Sequence, residues 1–137
     1  MNNLLYLKES NCFSKAYYKE GTTEINSIRS ELNHLAVKHL FTVESYRKSI
    51  KKILPVKNKI PLYFSDKLFL IYVKTFNKEM YQINLKEVVK VCFENDFVVV
   101  VFNTGLLLKL NTSINSVKSV LKNAAMISNY IYNLYSL

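Results

Sequence analysis

The chain divides by the spacing of its apolar residues into a helical part before residue 60, opened by a short hairpin, and a strand-rich part after it. "LLYLK" and "FSKAYYKE" alternate in the manner of two short strands, and the second runs into "EGTT", where Gly21 favours a turn. In "NSIRSELNHLAVKHL" the spacing of Ile28, Leu32, Leu35 and Ala36 predicts a helix, capped by Asn26 or Ser27. A second helix follows, with Thr42 at its cap and Val43, Tyr46, Ile50, Ile53 and Leu54 along one side; Pro55 stops it. Tyr46, Ile50 and Ile53 are expected to point inward.

From residue 60 the period falls to two. "IPLYFS", "KLFLIYVKT", "MYQIN", "VVKVCFE", "FVVVVFN" and "LLLKLN" read as antiparallel strands joined at "SDK", "FNKE", "END" and "NTG". The β-branched density of "EVVKVCFENDFVVVVFNTGLLLKLN" implies burial on at least part of both faces, which a curved sheet or partial barrel supplies. The last segment, "TSINSVKSVLKNAAMISNYIYNLYSL", sets Ile114, Val117, Leu121, Ala124, Ile127 or Ser128, Ile131 and Leu134 on one stripe behind a cap at Thr112 or Ser113. The expected fold is α+β in one domain, residues 1–137: an antiparallel curved sheet or partial barrel, short N-terminal helices, and a long amphipathic C-terminal helix laid over the sheet or across the barrel's mouth.

Composition adds a partner class. Nineteen Lys and Arg against ten Asp and Glu give a formal charge of +9, which favours an anionic partner: nucleic acid, an acidic protein or an anionic membrane surface. Cys12 and Cys92, with no CxxC, indicate neither a disulfide framework nor a zinc site and fit a cytoplasmic protein. The longest apolar runs, "LFLIYV" and "FVVVVF", fall far below the roughly 20 residues of a membrane span.

The charge concentrates in "YRKSIKKILPVKNKIP", residues 46–61, where Arg47, Lys48, Lys51, Lys52, Lys57 and Lys59 stand without an acid among them. On a helix the first four are related by i, i+1, i+4 and i+5, so they are expected to form one narrow cationic face, which Lys57 and Lys59 continue toward the sheet. Such a segment can lie along a phosphate backbone, although any helix of a lysine-rich chain shows some cationic face. No catalytic or metal site competes with it. His34 and His39 are five apart, which on a helix does not bring both to one metal; the acids are scattered singly; two glycines make no phosphate loop; Cys92 alternates with its strand neighbours. Neither enzyme chemistry nor a cofactor is expected. Most of the tyrosines and phenylalanines occupy packing positions, except that Tyr130, Tyr132 and Tyr135 cannot all face one core.

The order of a short hairpin, "YRKSIKKIL", "KNKIPLYFS", "YQINLKEVVKV" and "VVVVFNTGLLLKLNTSINSVKSVLKNAAMI" resembles the ComK family of competence transcription factors over nearly the whole chain. The matching places are Tyr46 and Arg47, Lys59 and Pro61, Asn103 to Gly105, and Ser113 to Ala124. The resemblance implies a cytoplasmic regulator that binds double-stranded AT-rich promoter DNA, largely through the minor groove, as homodimers or higher oligomers. "LFLIYVKT" departs from the family's Phe-Pro strand, and no tryptophan is present. With the sequence ending at Leu137, a short member without the family's adaptor-recognised tail is expected. Residues 88–121 are also similar to LytTR DNA-binding domains, but the arginine- and asparagine-bearing strand expected after the helix has no counterpart. The alternation of strands before a closing helix also resembles a bacterial PH-like domain, and the alternative reading is such a module holding an acidic protein or anionic membrane surface without DNA specificity.

Overall fold

The computed structural model describes residues 3–135, so the ends of the expected domain, residues 1–2 and 136–137, lie outside it. Along the chain run β1 (Leu4–Glu9), β2 (Ser14–Tyr18), β3 (Gly21–Glu24), α1 (Ile28–Lys38), α2 (Val43–Ile53), β4 (Leu62–Ser65), β5 (Leu68–Lys74), β6 (Met80–Asn84), a 3-10 turn (Leu85–Glu87), β7 (Val88–Phe93), β8 (Val98–Phe102), β9 (Leu107–Leu110) and α3 (Ile114–Tyr135). The fold is α+β, and among the described residues no helix is long and apolar enough to cross a membrane.

The strands do not form one curved sheet. They divide into a six-stranded antiparallel sheet, order β3-β2-β1-β6-β5-β4, and a three-stranded one, β7-β8-β9, and the two do not join into a closed barrel. The break follows from Asn84, which is wholly buried. Its Oδ1 accepts from Phe69 N (3.0 Å) and Lys86 N (3.2 Å), and its Nδ2 donates to Leu4 O (2.9 Å) and Lys67 O (3.1 Å). The carboxamide thereby closes the end of the β1-β6-β5 ladder, where the chain leaves the sheet for the 3-10 turn. "EGTT", expected as a turn, also contributes a third strand: β3 pairs with β2 from Tyr18↔Gly21 to Lys15↔Glu24. All four of its residues are exposed, so no apolar alternation marked it.

The six-stranded sheet is covered on both faces. On β5, Leu68 and Leu70 face a core with Ile28, Leu32, Leu35 and Ala36 of α1 and Val43 of α2. Phe69, Ile71 and Val73 face a second core with Val98, Val100 and Phe102 of β8 and Val117, Val120, Ala124 and Ile127 of α3. This two-sided burial accounts for the unbroken apolar run of β5. The three-stranded sheet buries one face fully and the other in part: Val98, Val100 and Phe102 are in, Val99 and Val101 are half-buried, and Val89 and Leu107 are exposed.

Helix ends follow local chemistry. Ser27 Oγ accepts from Ser30 N and Thr42 Oγ1 from Ser45 N, the two cap bonds that start α1 and α2. Glu9 of β1 adds a carboxylate at the α1 N-terminus, accepting from Ile28 N at 2.7 Å, and ties that helix to the sheet. Two expected core positions are open: Ile53 is 47% and Leu134 49% exposed. Ile53 lies roughly 80° from Val43 around α2, at the edge of its stripe. At about 1.5 Å per residue α3 outruns the strands beneath it, so Leu134 passes the end of the core.

A polar bridge connects the two sheets. Glu87 of the 3-10 turn pairs with Lys19 (2.9 Å) beyond β2 and accepts from Asn103 Nδ2 (2.6 Å) beyond β8, while Gly105 supplies the left-handed residue, φ 91°, of the β8-β9 turn. Burial pushes the Glu87 carboxyl up, but the hydrogen bonds from Lys19 and Asn103 outweigh it and hold the group below its usual 4.5. A carboxyl depressed in the folded state contributes stability above its unfolded value that is lost as the pH falls. Urea midpoints of the wild type are therefore expected to decline below about pH 4.5, and Glu87→Gln to flatten that decline while lowering the midpoint near neutrality. Parallel slopes for the two proteins would contradict this role.

Candidate nucleic-acid interface

α2 presents its cations because its opposite side is anchored. Val43 and Ile50 are buried, and the Tyr46 phenol donates to Pro61 O (2.8 Å) and accepts from Tyr63 N (3.0 Å) at the start of β4. Burial pushes the Tyr46 hydroxyl up to about 12, against the opposing effect of the Tyr63 amide, so it stays a neutral donor at physiological pH. Rotation of α2 is thereby restrained, and with it the direction of every lysine it carries.

Arg47, Lys48, Lys51, Lys52, Lys57 and Lys59 are all exposed. They do not form one narrow face. Taken from Val43, Arg47 lies at roughly 40°, Lys51 at 80°, Lys48 at 140° and Lys52 at 180° around the helix, a fan about 140° wide. Arg47, Lys48 and Lys51 accordingly line a groove between α1 and α2, while Lys52 and Lys57 are exposed outside it. Lys59, held at a positive φ of 50°, places its Nζ 5.9 Å from the centre of the Tyr72 ring, and Tyr72 belongs to the same groove. Lys48 pairs with Glu44 at 3.2 Å, but both are largely exposed, so the pair is worth little and leaves Lys48 available. Its i, i+4 spacing was visible in the sequence.

Other parts of the groove gave no sequence signal because they come from distant elements. Arg29 extends the cationic rim from α1. The strands supply the floor: Tyr72 of β5 and Gln82 of β6, which stand directly opposite one another in the ladder, with Met80 of β6 and the Glu9 carboxylate of β1 beside them. Burial first, and the Glu9 carboxylate second, raise the Tyr72 phenol, which stays protonated. Gln82 is 5% exposed, and its Oε1 finds no hydrogen-bond partner among the protein's described groups. An unpaired buried carbonyl costs about 1–3 kcal/mol, so its retention needs a reason.

The remaining candidates of the sequence sit elsewhere. His34 is exposed, and His39 Nδ1 donates to Leu35 O within its own helix at 2.9 Å. Cys12 and Cys92 are free thiols. Compared with protein-family models, curated proteins and solved structures, the chain matches none.

Proposed function

We propose that this protein is a DNA-binding transcriptional regulator of the ComK type, acting in the cytoplasm on AT-rich promoter duplex as a homodimer or higher oligomer, with no catalytic activity. The observation that carries this reading is the exposure of four α2 cations on a helix that Tyr46, Val43 and Ile50 fix against the sheet. Positive groups at set spacing on a rigid helix suit phosphate contacts, which position a protein on DNA without reading sequence. Lys57 and Lys59 continue the cationic surface toward β4. Arg47 is assigned to the narrow minor groove of AT-rich DNA, because a guanidinium is less strongly hydrated than an ammonium and enters a narrow electronegative slot more readily. Specificity then comes mainly from the shape of the duplex.

Fluorescence anisotropy with an AT-tract duplex, run beside sedimentation with anionic vesicles at matched salt, tests the reading. The duplex is expected to be preferred. Preference for the vesicles would transfer the basic surface to a membrane-binding role instead.

A further inference from the structure

The α1-α2 groove has a rim that suits phosphate and a floor that a DNA backbone does not use. On the rim, Arg29, Arg47 and Lys51 form no ion pair with an acid among the described residues. On the floor, Tyr72 and Gln82 face each other across β5 and β6. Phosphates of a duplex ride on an exposed cationic surface, whereas an aromatic ring beside a carboxamide recognises a planar ring with a hydrogen-bonding edge.

Gln82 is the informative residue. Two positions further along the same strand face, Asn84 spends both ends of its carboxamide on four backbone groups, while the Gln82 oxygen has no partner. Of the two, only Gln82 lines the groove. A methionine of similar volume would fill the same space without burying an unpaired carbonyl. The groove that this amide lines carries Arg29, Arg47, Lys48 and Lys51 against Glu9 and Glu44, and buried polar groups without a partner gather at functional sites.

We propose that the groove binds a nucleoside phosphate, the base lying against Tyr72 with its hydrogen-bonding edge on the Gln82 carboxamide, and the phosphate held by Arg29, Arg47 and Lys51. Its volume of about 830 Å³ falls within the range of small-molecule sites. Since Arg47 and Lys51 also belong to the surface assigned to DNA, an occupied groove competes with duplex for them. The site itself stands independently of the DNA reading, because it is argued from the floor.

Isothermal titration of the full chain with adenosine monophosphate, adenosine and inorganic phosphate, at one ionic strength, tests it. The nucleotide is expected to bind about tenfold or more tighter than either fragment, since it alone engages rim and floor together. Gln82→Met is expected to reduce nucleotide affinity to that of inorganic phosphate while melting at a higher temperature than the wild type, which separates lost recognition from lost folding. Tyr72→Leu is expected to lose nucleotide in the same way and to keep the far-UV spectrum of the folded protein. Inorganic phosphate binding as tightly as the nucleotide would overturn the proposal, as would unchanged nucleotide binding by Gln82→Met or no nucleotide binding by the wild type. None of these readouts uses DNA, so a failure to bind duplex and a failure of this site are distinguishable.

Discussion

Replacing Asn84 with leucine is expected to destabilise the protein by roughly 3–5 kcal/mol, among the largest effects of any single substitution in it. Leucine keeps the branched outline with somewhat bulkier ends, but it strands two backbone N–H groups, of Phe69 and Lys86, and two carbonyls, of Leu4 and Lys67, at the join between the sheets. Each unpaired buried group costs about 1–3 kcal/mol, and partial access to water at Lys67 and Lys86 reduces the sum. For a chain of this size the loss corresponds to a fall in melting temperature on the order of 10–20 °C. Thermal unfolding followed by circular dichroism reads it directly. A variant melting within about 2 °C of the wild type would mean that the ladder end is closed by other groups.

The second large effect concerns the cations of α2. Arg47→Ala is expected to weaken binding to an AT-tract more than to a GC-rich duplex, because it removes the group assigned to the narrow groove. Lys51→Ala should weaken both alike and reduce the steepness of the salt dependence by about one charge. Exchanging all four of Arg47, Lys48, Lys51 and Lys52 for alanine removes about three phosphate contacts together with the minor-groove arginine and should abolish binding at physiological salt. All four side chains are exposed, and Tyr46, Val43 and Ile50 still anchor the helix, so the fold should survive the change. Equal proportional losses on both duplexes for Arg47→Ala and Lys51→Ala would remove the division of labour.

What could be read from the sequence was local. Thr42 was visible as a cap and Ser27 as one of two candidates beside Asn26, and Ile28, Leu32, Leu35 and Ala36 as the buried stripe of α1, because a cap and a 3.6-residue period are encoded within a few positions. The strands from β4 to β9 were visible for the same reason, by alternation and turn residues. Which strand pairs with which was not. The β1-β6 pairing joins residues such as Tyr6 and Ile83, and the bonds that Asn84 makes at the end of that ladder reach three distant backbone groups, of Leu4, Lys67 and Phe69, which its identity alone does not disclose. The candidate site divides likewise. The α2 cations were legible as a charge run, but their spread around the helix, and their meeting with Arg29, Tyr72 and Gln82, depend on how α1 and α2 settle on the sheet. Ile53 shows the limit within one helix: it belongs to the apolar pattern, yet stands 47% exposed at the margin of the stripe.

The architecture suggests a division between a scaffold and a working face. The second core, with α3 and the three-stranded sheet, braces the far side of the six-stranded sheet, while α1 rides on the near side and α2 spans both cores, Val43 in the near one and Ile50 in the far one. Tyr46 is the joint between them, since its phenol bonds the backbone of β4 while Arg47 beside it faces solvent. The adjacent Tyr-Arg pair thus places an anchor and a contact residue on neighbouring positions of one helix.

The most direct test of the account is a titration of the purified protein onto AT-tract and GC-rich duplexes of equal length, read by fluorescence anisotropy at two salt concentrations. With six cations on the surface, binding to the AT-tract should be the tighter and should weaken by roughly 10³-fold between about 50 and 200 mM salt. Weak binding, equal on both duplexes and insensitive to their sequence, would contradict it and reduce the α2 surface to a solvated cationic face.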